Sequence, residues 1–327
     1  MLESSTHEKQ LTHEKPLQDY IKTIEHLKKQ NQENPLFRDE IRKLEQKLDK
    51  LKKQTYSQLT PWQRVLICRH TDRPHALDYF KNMCESFTEL AGDRQFGDDH
   101  SIVGGLAKIG GIKCVVIGQE KGHDTESRVY HNFGMLNPEG FRKALRLMRL
   151  AEKFRLPVIS LLDTKGANPC LEAEERGQGW AIAQNLRDMM RLNTPIIVIV
   201  IGEGCSGGAL GIGVGDVIGM LEHAYYSVIS PEGCASILWK DATKNIEAAS
   251  ALKLMAEDLL HLKVIDNIIP EPLGGAHHDP QLTYTHVKQF ILEQYQILQS
   301  IPLPLLLEQR YLKFRQMGQF NEMAQNN

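Results

Sequence analysis

Pro195-Ile-Ile-Val-Ile-Val-Ile201 runs straight into Gly202-Glu-Gly-Cys-Ser-Gly-Gly208-Ala209, and the reading of this stretch decides the fold class. A short aliphatic run without alternation is a strand buried on both faces, since a half-solvated strand would show a polar residue at every second position. The same grammar occurs upstream, where Pro157 to Leu162 is a buried strand ending in the loop Asp163 to Cys170. Between the two, Glu172 to Arg191 carries helical periodicity that buries Ile182, Leu186, Met189 and Met190. Strand, loop, helix, strand, loop is the pattern of parallel α/β layering, in which ligands gather at the carboxyl ends of strands. The two exit loops are therefore the expected site.

Outward from this core, Ser101 to Ile109 and Ile112 to Gly118 flank Gly110-Gly111, a hairpin signal. Pro138 to Phe154 reads as a helix with Ala144, Leu147, Met148 and Ala151 on one face. Residues 1–58 are rich in Lys, Glu and Gln and contain no glycine. Their stripes Leu17, Ile21, Ile24 and Ile41, Leu44, Leu48, Leu51 predict a helical hairpin turning at Asn31 to Pro35, with Thr60-Pro61 opening the next helix. Packing on its own domain is the plainer role for this arm; docking another subunit is the alternative. Residues 59–279 form the expected main domain, and 280–327 a C-terminal segment helical through Ile291 to Gln299 and Leu305 to Phe314.

Composition narrows the function. Hydrophobic residues make up 41% and charged residues 24%, with a net charge of -2, which argues against a strongly basic nucleic-acid binder. The aliphatic run Ile196 to Ile201 is far short of the ~20 residues a membrane helix needs. Met1 to Gln10 is polar and lacks a signal-peptide core. Six scattered cysteines form no Cys-x-x-Cys pair, so neither a zinc ribbon nor a disulfide framework is expected, and no metal is assigned to the chain. A reducing cytoplasm fits best.

Three chemistries fit the glycine-rich loop. Gly202, Gly204 and Gly207, with Glu222 downstream, match a dinucleotide fingerprint, but Gly211, Gly213 and Gly215 spoil the helix that must follow. Gly204, Ser206 and Gly208 match a nucleophile elbow, with Asp266 and His277 in the order of a hydrolase triad. The third is an oxyanion hole without a nucleophile, where glycine lets adjacent main-chain amides converge on one point before a helix N-terminus. Removing one such donor costs roughly 3 kcal/mol of transition-state stabilisation.

Longer blocks separate these. Glu89-Leu-Ala-Gly-Asp-Arg94, Asn132-Phe-Gly-Met135, Pro138-Glu-Gly-Phe-Arg-Lys-Ala-Leu-Arg-Leu-Met148, Ala173-Glu-Glu-Arg-Gly-Gln178, Ile201-Gly-Glu-Gly-Cys-Ser-Gly-Gly-Ala-Leu210, Tyr226 to Lys240 and Ile268-Ile-Pro-Glu-Pro-Leu-Gly-Gly-Ala-His277 resemble the carboxyltransferase alpha subunits of bacterial acetyl-CoA carboxylase. The resemblance runs from roughly Thr60 to His278. It implies a crotonase-like ββα spiral with a helical N-terminal extension, and transfer of a carboxyl group from carboxybiotin to acetyl-CoA, giving malonyl-CoA for fatty acid biosynthesis. It implies as partners a beta subunit bearing the zinc ribbon, a biotin carboxyl carrier protein and a biotin carboxylase, which alone uses ATP, with two alpha and two beta chains. On this basis the Gly207 and Gly208 amides are the expected oxyanion donors on the biotin side. Gly204 would shape the loop, and Gly166 and Ala167 would line the same pocket.

Two features qualify the resemblance. The family reads Asp-Thr-Pro-Gly-Ala-Tyr-Pro-Gly where this chain has Asp163-Thr-Lys-Gly-Ala-Asn-Pro-Cys170, so Lys165, Asn168 and Cys170 put pocket shape in question. A catalytically weakened assembly subunit is the alternative this leaves, and a Ser206 hydrolase a remote third. Arg142, Arg146 and Arg149 share a helix face; a solvated surface is the plain expectation, and contact with CoA phosphate or the carrier protein the sharper one.

Overall fold

The computed structural model describes residues 11–33 and 37–318, so the polar start Met1 to Gln10 lies outside the described residues. Among the described residues, eight strands form one sheet: β1 Ser86–Glu89, β2 Ile102–Ile109, β3 Ile112–Gln119, β4 Val158–Thr164, β5 Ile196–Cys205, β6 Val217–Leu221, β7 Tyr225–Ser227 and β8 Asn267–Ile269. The order is β1-β2-β3-β4-β5-β6-β8, with β7 beside the far end of β5. β1, β2 and β3 pair antiparallel, and every later pairing is parallel. Gly110 and Gly111 take φ +56° and +84°, a left-handed pair that side chains disfavour, and this closes the expected hairpin with Ile109 opposite Ile112.

The helix Pro138–Phe154 connects β3 to β4 and buries Ala144, Leu147, Met148 and Ala151, as its periodicity predicts. The single helix expected over Glu172 to Arg191 is instead two, Leu171–Glu175 and Gln178–Met189. Gly177 at φ +83° breaks the run, because a left-handed residue cannot continue a right-handed helix. β5 also differs from expectation. It extends through Gly202–Cys205, because β4 and β7 both pair with that end, so the exit loop shrinks to the corner at Ser206.

At the N-terminus, Lys15–Glu33 and Arg38–Ser57 form the two helices expected, sharing a small core of Leu17, Ile24, Ile41, Leu48, Tyr56 and Ile67. The first continues through Asn31, so the predicted turn starts later than its sequence suggested; Asn34 and Pro35 lie outside the described residues. At the other end, Pro280–Leu298 and Leu303–Arg315 are helical. No helix among the described residues is long and apolar enough to cross a membrane. All six cysteines are free thiols.

The arginine stripe is only partly solvated: Arg149 is exposed, whereas Arg142 and Arg146 are half-buried. Arg142 pairs with Asp93 at 2.7 Å, and Arg146 donates to the carbonyls of Leu90, Ala91 and Gly92. Arg149 reaches Asp188. The first two pin the loop after β1 against the Pro138–Phe154 helix, so two arginines that looked like surface are internal wiring, while Arg149 keeps the solvated face its spacing suggested.

Arg310 plays the same part for the last helix. Its side chain is fully buried and bonds both oxygens of Asp216 at 2.8 and 2.7 Å, together with the carbonyls of Met189, Leu192 and Thr194. Breaking a buried pair leaves its partner's charge uncompensated, which costs about 3–5 kcal/mol. Arg310→Met is therefore expected to lower unfolding free energy by that order in urea titrations; an unchanged midpoint would contradict this role.

Candidate functional site

Glu203 stands inside β5, in an otherwise uncharged strand, and is almost fully buried. A bare carboxylate there would be prohibitive, so its neighbours define the site. Lys121 Nζ lies 2.7 Å from Glu203 Oε1 and 2.6 Å from Asp163 Oδ1. Arg69 Nε donates to Glu203 Oε2 at 2.8 Å, and the Tyr225 hydroxyl donates to the same oxygen at 2.5 Å. His75 Nδ1 lies 2.9 Å from Asp163 Oδ2. Asp163 also accepts the Glu203 N–H, and its own N–H donates to Gln119 Oε1. Gln119 in turn donates to the Gly208 carbonyl at 2.8 Å. One network thus runs from Arg69, across the carboxyl ends of β4 and β5, to the glycine corner.

Local backbone explains why the network fits. Strand pairing jumps between Leu162 and Thr164, an irregularity at the Asp163 position. A Cβ at Gly202 would stand 2.3 Å from Asp163 Oδ1, so glycine is needed there to admit a carboxylate. That role replaces the dinucleotide reading. Gly202 and Gly204 lie within β5, and Glu222 accepts the Glu271 N–H at 3.2 Å. Burial drives the Asp163 carboxyl upward, but Lys121 and His75 outweigh it and hold it well below the usual range. Glu203 is likewise raised by burial and lowered more by Lys121 and Arg69, to about 2.

The glycine corner follows at once. Ser206 takes φ +54° and turns β5 into the short helix Ser206–Leu210, which places Gly207 and Gly208 in the first turn, where amides have no intrahelical acceptor. A Cβ at Gly208 would fall 2.3 Å from Gly166 C and 2.5 Å from Ala167 N. The structure therefore brings Gly208, from the first turn of the Ser206–Leu210 helix, against Gly166 and Ala167 of the loop after β4. Gly166, at φ +142°, presents a face with nothing within 4 Å, although its N–H donates to Thr164 Oγ1. Gly204 is not in this corner; it packs in β5 against Tyr226.

One cavity borders the charged network and another borders the corner. The first, of about 460 Å³, is lined by Arg69, His75, Lys121, Arg128, Lys165 and Glu203 among others. The other, of about 380 Å³, is mainly apolar and includes Ser206, Gly207, Leu210, Tyr226, Leu252 and Val264. Ser206 is not assembled into a triad. The Asp266 carboxylate accepts the Ile218 N–H and pairs with Lys313, while His277 stacks on His70 at 3.9 Å between ring centroids. The departures in the 163–170 loop are accommodated. Cys170 has φ −74° and needs no left-handed conformation. Asn168 ties the loop by donating to Asn137 Oδ1 and accepting the Cys170 N–H, and Lys165 lies over the Phe133 ring.

Sequence reasoning missed Lys121, Arg69 and His75, which come from two segments far from Glu203 in sequence, the stretch 69–75 and the residues just after β3. The available signal was Glu203 itself, a charge in a buried strand that requires a cationic partner. Lys121→Met should therefore destabilise the chain by about 3–5 kcal/mol, read from urea unfolding at neutral pH. Both carboxyls are depressed in the folded chain, so their stabilisation is complete above their unfolded values and is lost as pH falls through about 4.5 toward 2. The wild-type urea midpoint should drop over that window, and Lys121→Met should flatten the drop; a flat wild-type profile would contradict the network's electrostatic role.

Comparison with known proteins meets this geometry. A family model described as acetyl co-enzyme A carboxylase carboxyltransferase-like matches residues 10–318. An acetyl-coenzyme A carboxylase carboxyl transferase subunit alpha from Protochlamydia amoebophila is 77% identical over 95% of this chain and 99% of its own length. The subunit of the same name from Chlamydia caviae is 60% identical, over 97% and 98%. Among solved structures, a 12S transcarboxylase aligns with TM-score 0.54 at 14% identity over 78% of this chain, which spans only 45% of that longer one. A Pseudomonas malonate decarboxylase hetero-tetramer in complex with coenzyme A aligns with TM-score 0.55 at 14% identity, over 72% of this chain and 91% of that one. At that identity the likeness shows the fold, which is crotonase-like α/β. The chain belongs to the family of acetyl-coenzyme A carboxylase carboxyl transferase alpha subunits and is a subunit of a transferase.

Proposed function

We propose that this chain supplies the biotin-facing half of a carboxyltransferase that moves a carboxyl group from carboxybiotin, carried on a separate carrier protein, to acetyl-CoA. The product is malonyl-CoA, which commits carbon to fatty acid biosynthesis. The observation that carries the reading is the convergence of Gly208 on Gly166 and Ala167 at the carboxyl ends of β4 and β5. Oriented amides at such a corner stabilise an oxyanion without a side-chain nucleophile. The open face at Gly166 leaves room for a flat ring system to approach the main chain.

In this reading the Gly207 and Gly208 N–H groups receive the negative charge that develops on the ureido oxygen of biotin as the carboxyl group leaves. The partial positive charge at the start of the Ser206–Leu210 helix adds to them. Gln119, by holding the Gly208 carbonyl, orients the peptide planes of the corner. Ala167 walls the pocket, and Gly204 shapes it from behind through Tyr226. A beta subunit would complete the cleft and bind acetyl-CoA. A biotin carboxylase, using ATP, would recharge the carrier, and an α2β2 assembly is the expected form. Free thiols fit a cytoplasmic setting.

A weakened assembly subunit is the second reading, and the test distinguishes it. With the beta subunit co-purified, biotin-dependent malonyl-CoA decarboxylation reads the reaction in reverse. Gly208→Ala must displace the 166–167 backbone and should lower kcat on the order of 100-fold, the cost of an ångström-scale misplacement. Gly207→Ala meets only Ile182, at 3.4 Å, and should fold normally with a milder loss. Ser206→Ala should retain activity within about 3-fold, because no proton relay reaches its hydroxyl. Wild-type complex without decarboxylation would favour the assembly reading, and complete loss in Ser206→Ala would favour a hydrolase.

A further inference from the structure

The loop Leu273-Gly-Gly-Ala-His-His278 carries a histidine that the sequence offered to a hydrolase triad and that transfer chemistry leaves unused. It meets the foot of the N-terminal arm. Glu14, His277 and His278 each bring one ligand atom to within 4.8 Å of the others. Glycine makes this possible. Gly274 and Gly275 take φ +98° and +114°, and a Cβ at Gly274 would stand 2.4 Å from His278 Cδ2 and 2.9 Å from the Tyr56 hydroxyl. A Cβ at Gly275 would crowd His277 at 3.2 Å.

Around these three groups the polar accounting is incomplete. Nδ1 of His277 is buried without a hydrogen-bond partner. Both ring nitrogens of His13, next to Glu14, are in the same condition, and so is Nδ1 of His223, whose residue is 4% exposed. His13 and His223 are close enough to interact electrostatically. Leaving such groups unmet costs free energy, so their concentration in one place points to a missing ligand. The Tyr56 hydroxyl donates to Glu14 Oε1 at 2.8 Å, the kind of outer hydrogen bond that orients a ligating carboxylate.

We propose that Glu14, His277 and His278 bind a divalent transition-metal cation of the zinc class, which fastens the N-terminal helical arm to the loop preceding the helix Pro280–Leu298. Two imidazoles and a carboxylate suit zinc and its neighbours, whereas calcium and magnesium take oxygen ligands. His278 is 44% exposed, so a fourth position can be filled by water. Glu14 immediately precedes the arm helix Lys15–Glu33, and His278 stands two residues before Pro280. A bound ion would therefore join segments far apart in sequence and stabilise the docked arm in proportion to its affinity.

The experiment uses the full chain made without a histidine tag, stripped with chelator and titrated with zinc alone by calorimetry. Thermal unfolding with and without zinc, and the visible absorption of added Co2+, are read in parallel. The expected result is one zinc per chain, a Tm that rises with zinc, and a tetrahedral Co2+ spectrum. His278→Ala, at an exposed position, should fold and yet lose at least about 10-fold in zinc affinity, since even outer-shell changes cost that much. Glu14→Gln should behave likewise, and His261→Ala, at an exposed position on the helix Ala256–His261 and outside the three-residue cluster, should bind as wild type does. Absence of a zinc-dependent Tm shift, or His278→Ala binding zinc as tightly as wild type, would overturn the proposal.

Discussion

Two carboxylates buried at the ends of adjacent parallel strands must share one ammonium group, and that constraint organises the chain around it. Asp163 and Glu203 cannot both be ionised in a low-dielectric interior unless Lys121 sits between them and Arg69 and His75 cover the remaining oxygens. The requirement accounts for Gly202, where a side chain would strike Asp163, and for the pairing irregularity that sets Asp163 at the end of β4. It also links the charged cavity to the glycine corner. Gln119 bonds the Asp163 N–H with one end of its amide and the Gly208 carbonyl with the other.

Charged side chains elsewhere are used in the same structural way. Arg73 and Glu271 are buried together, with Arg73 also bonding the Ile201 carbonyl, so the loop after β8 is tied to β5. Arg142 and Arg146 secure the loop after β1, and Arg310 secures the last helix. With so many side chains committed to holding loops in register, the chemistry proposed for this subunit falls to the main chain. Main-chain donors need accurate placement more than they need particular side chains. That is why Lys165, Asn168 and Cys170 can replace family residues while Asn168 keeps the loop tied.

Much of the architecture was legible because buried parallel strands and amphipathic helices write their periodicity into the chain. Ile196 to Ile201, Val158 to Leu162, the glycine hairpin and the helix Pro138–Phe154 each carried a local signal. The misreadings arose where a partner decides. β5 runs on to Cys205 because β7 and β4 pair with it, which no residue of β5 announces. A stripe of arginines looks the same whether it faces water or carbonyls. Glycine at 177 was visible, yet only its left-handed conformation ends the helix there.

The sequence by itself determined the α/β layering, the family, and the two strand exits where a site had to be sought, because these depend on local patterning and on long blocks of residue identity. Only the tertiary structure decided that Gly208 touches Gly166 and Ala167, that Lys121 bridges Asp163 and Glu203, and that Glu14 meets His277 and His278. Those contacts join residues separated by tens to hundreds of positions. The physical reason is that burial energy and electrostatics act through space, and a one-dimensional pattern records a residue's preference for being buried or charged but not which distant group will satisfy it.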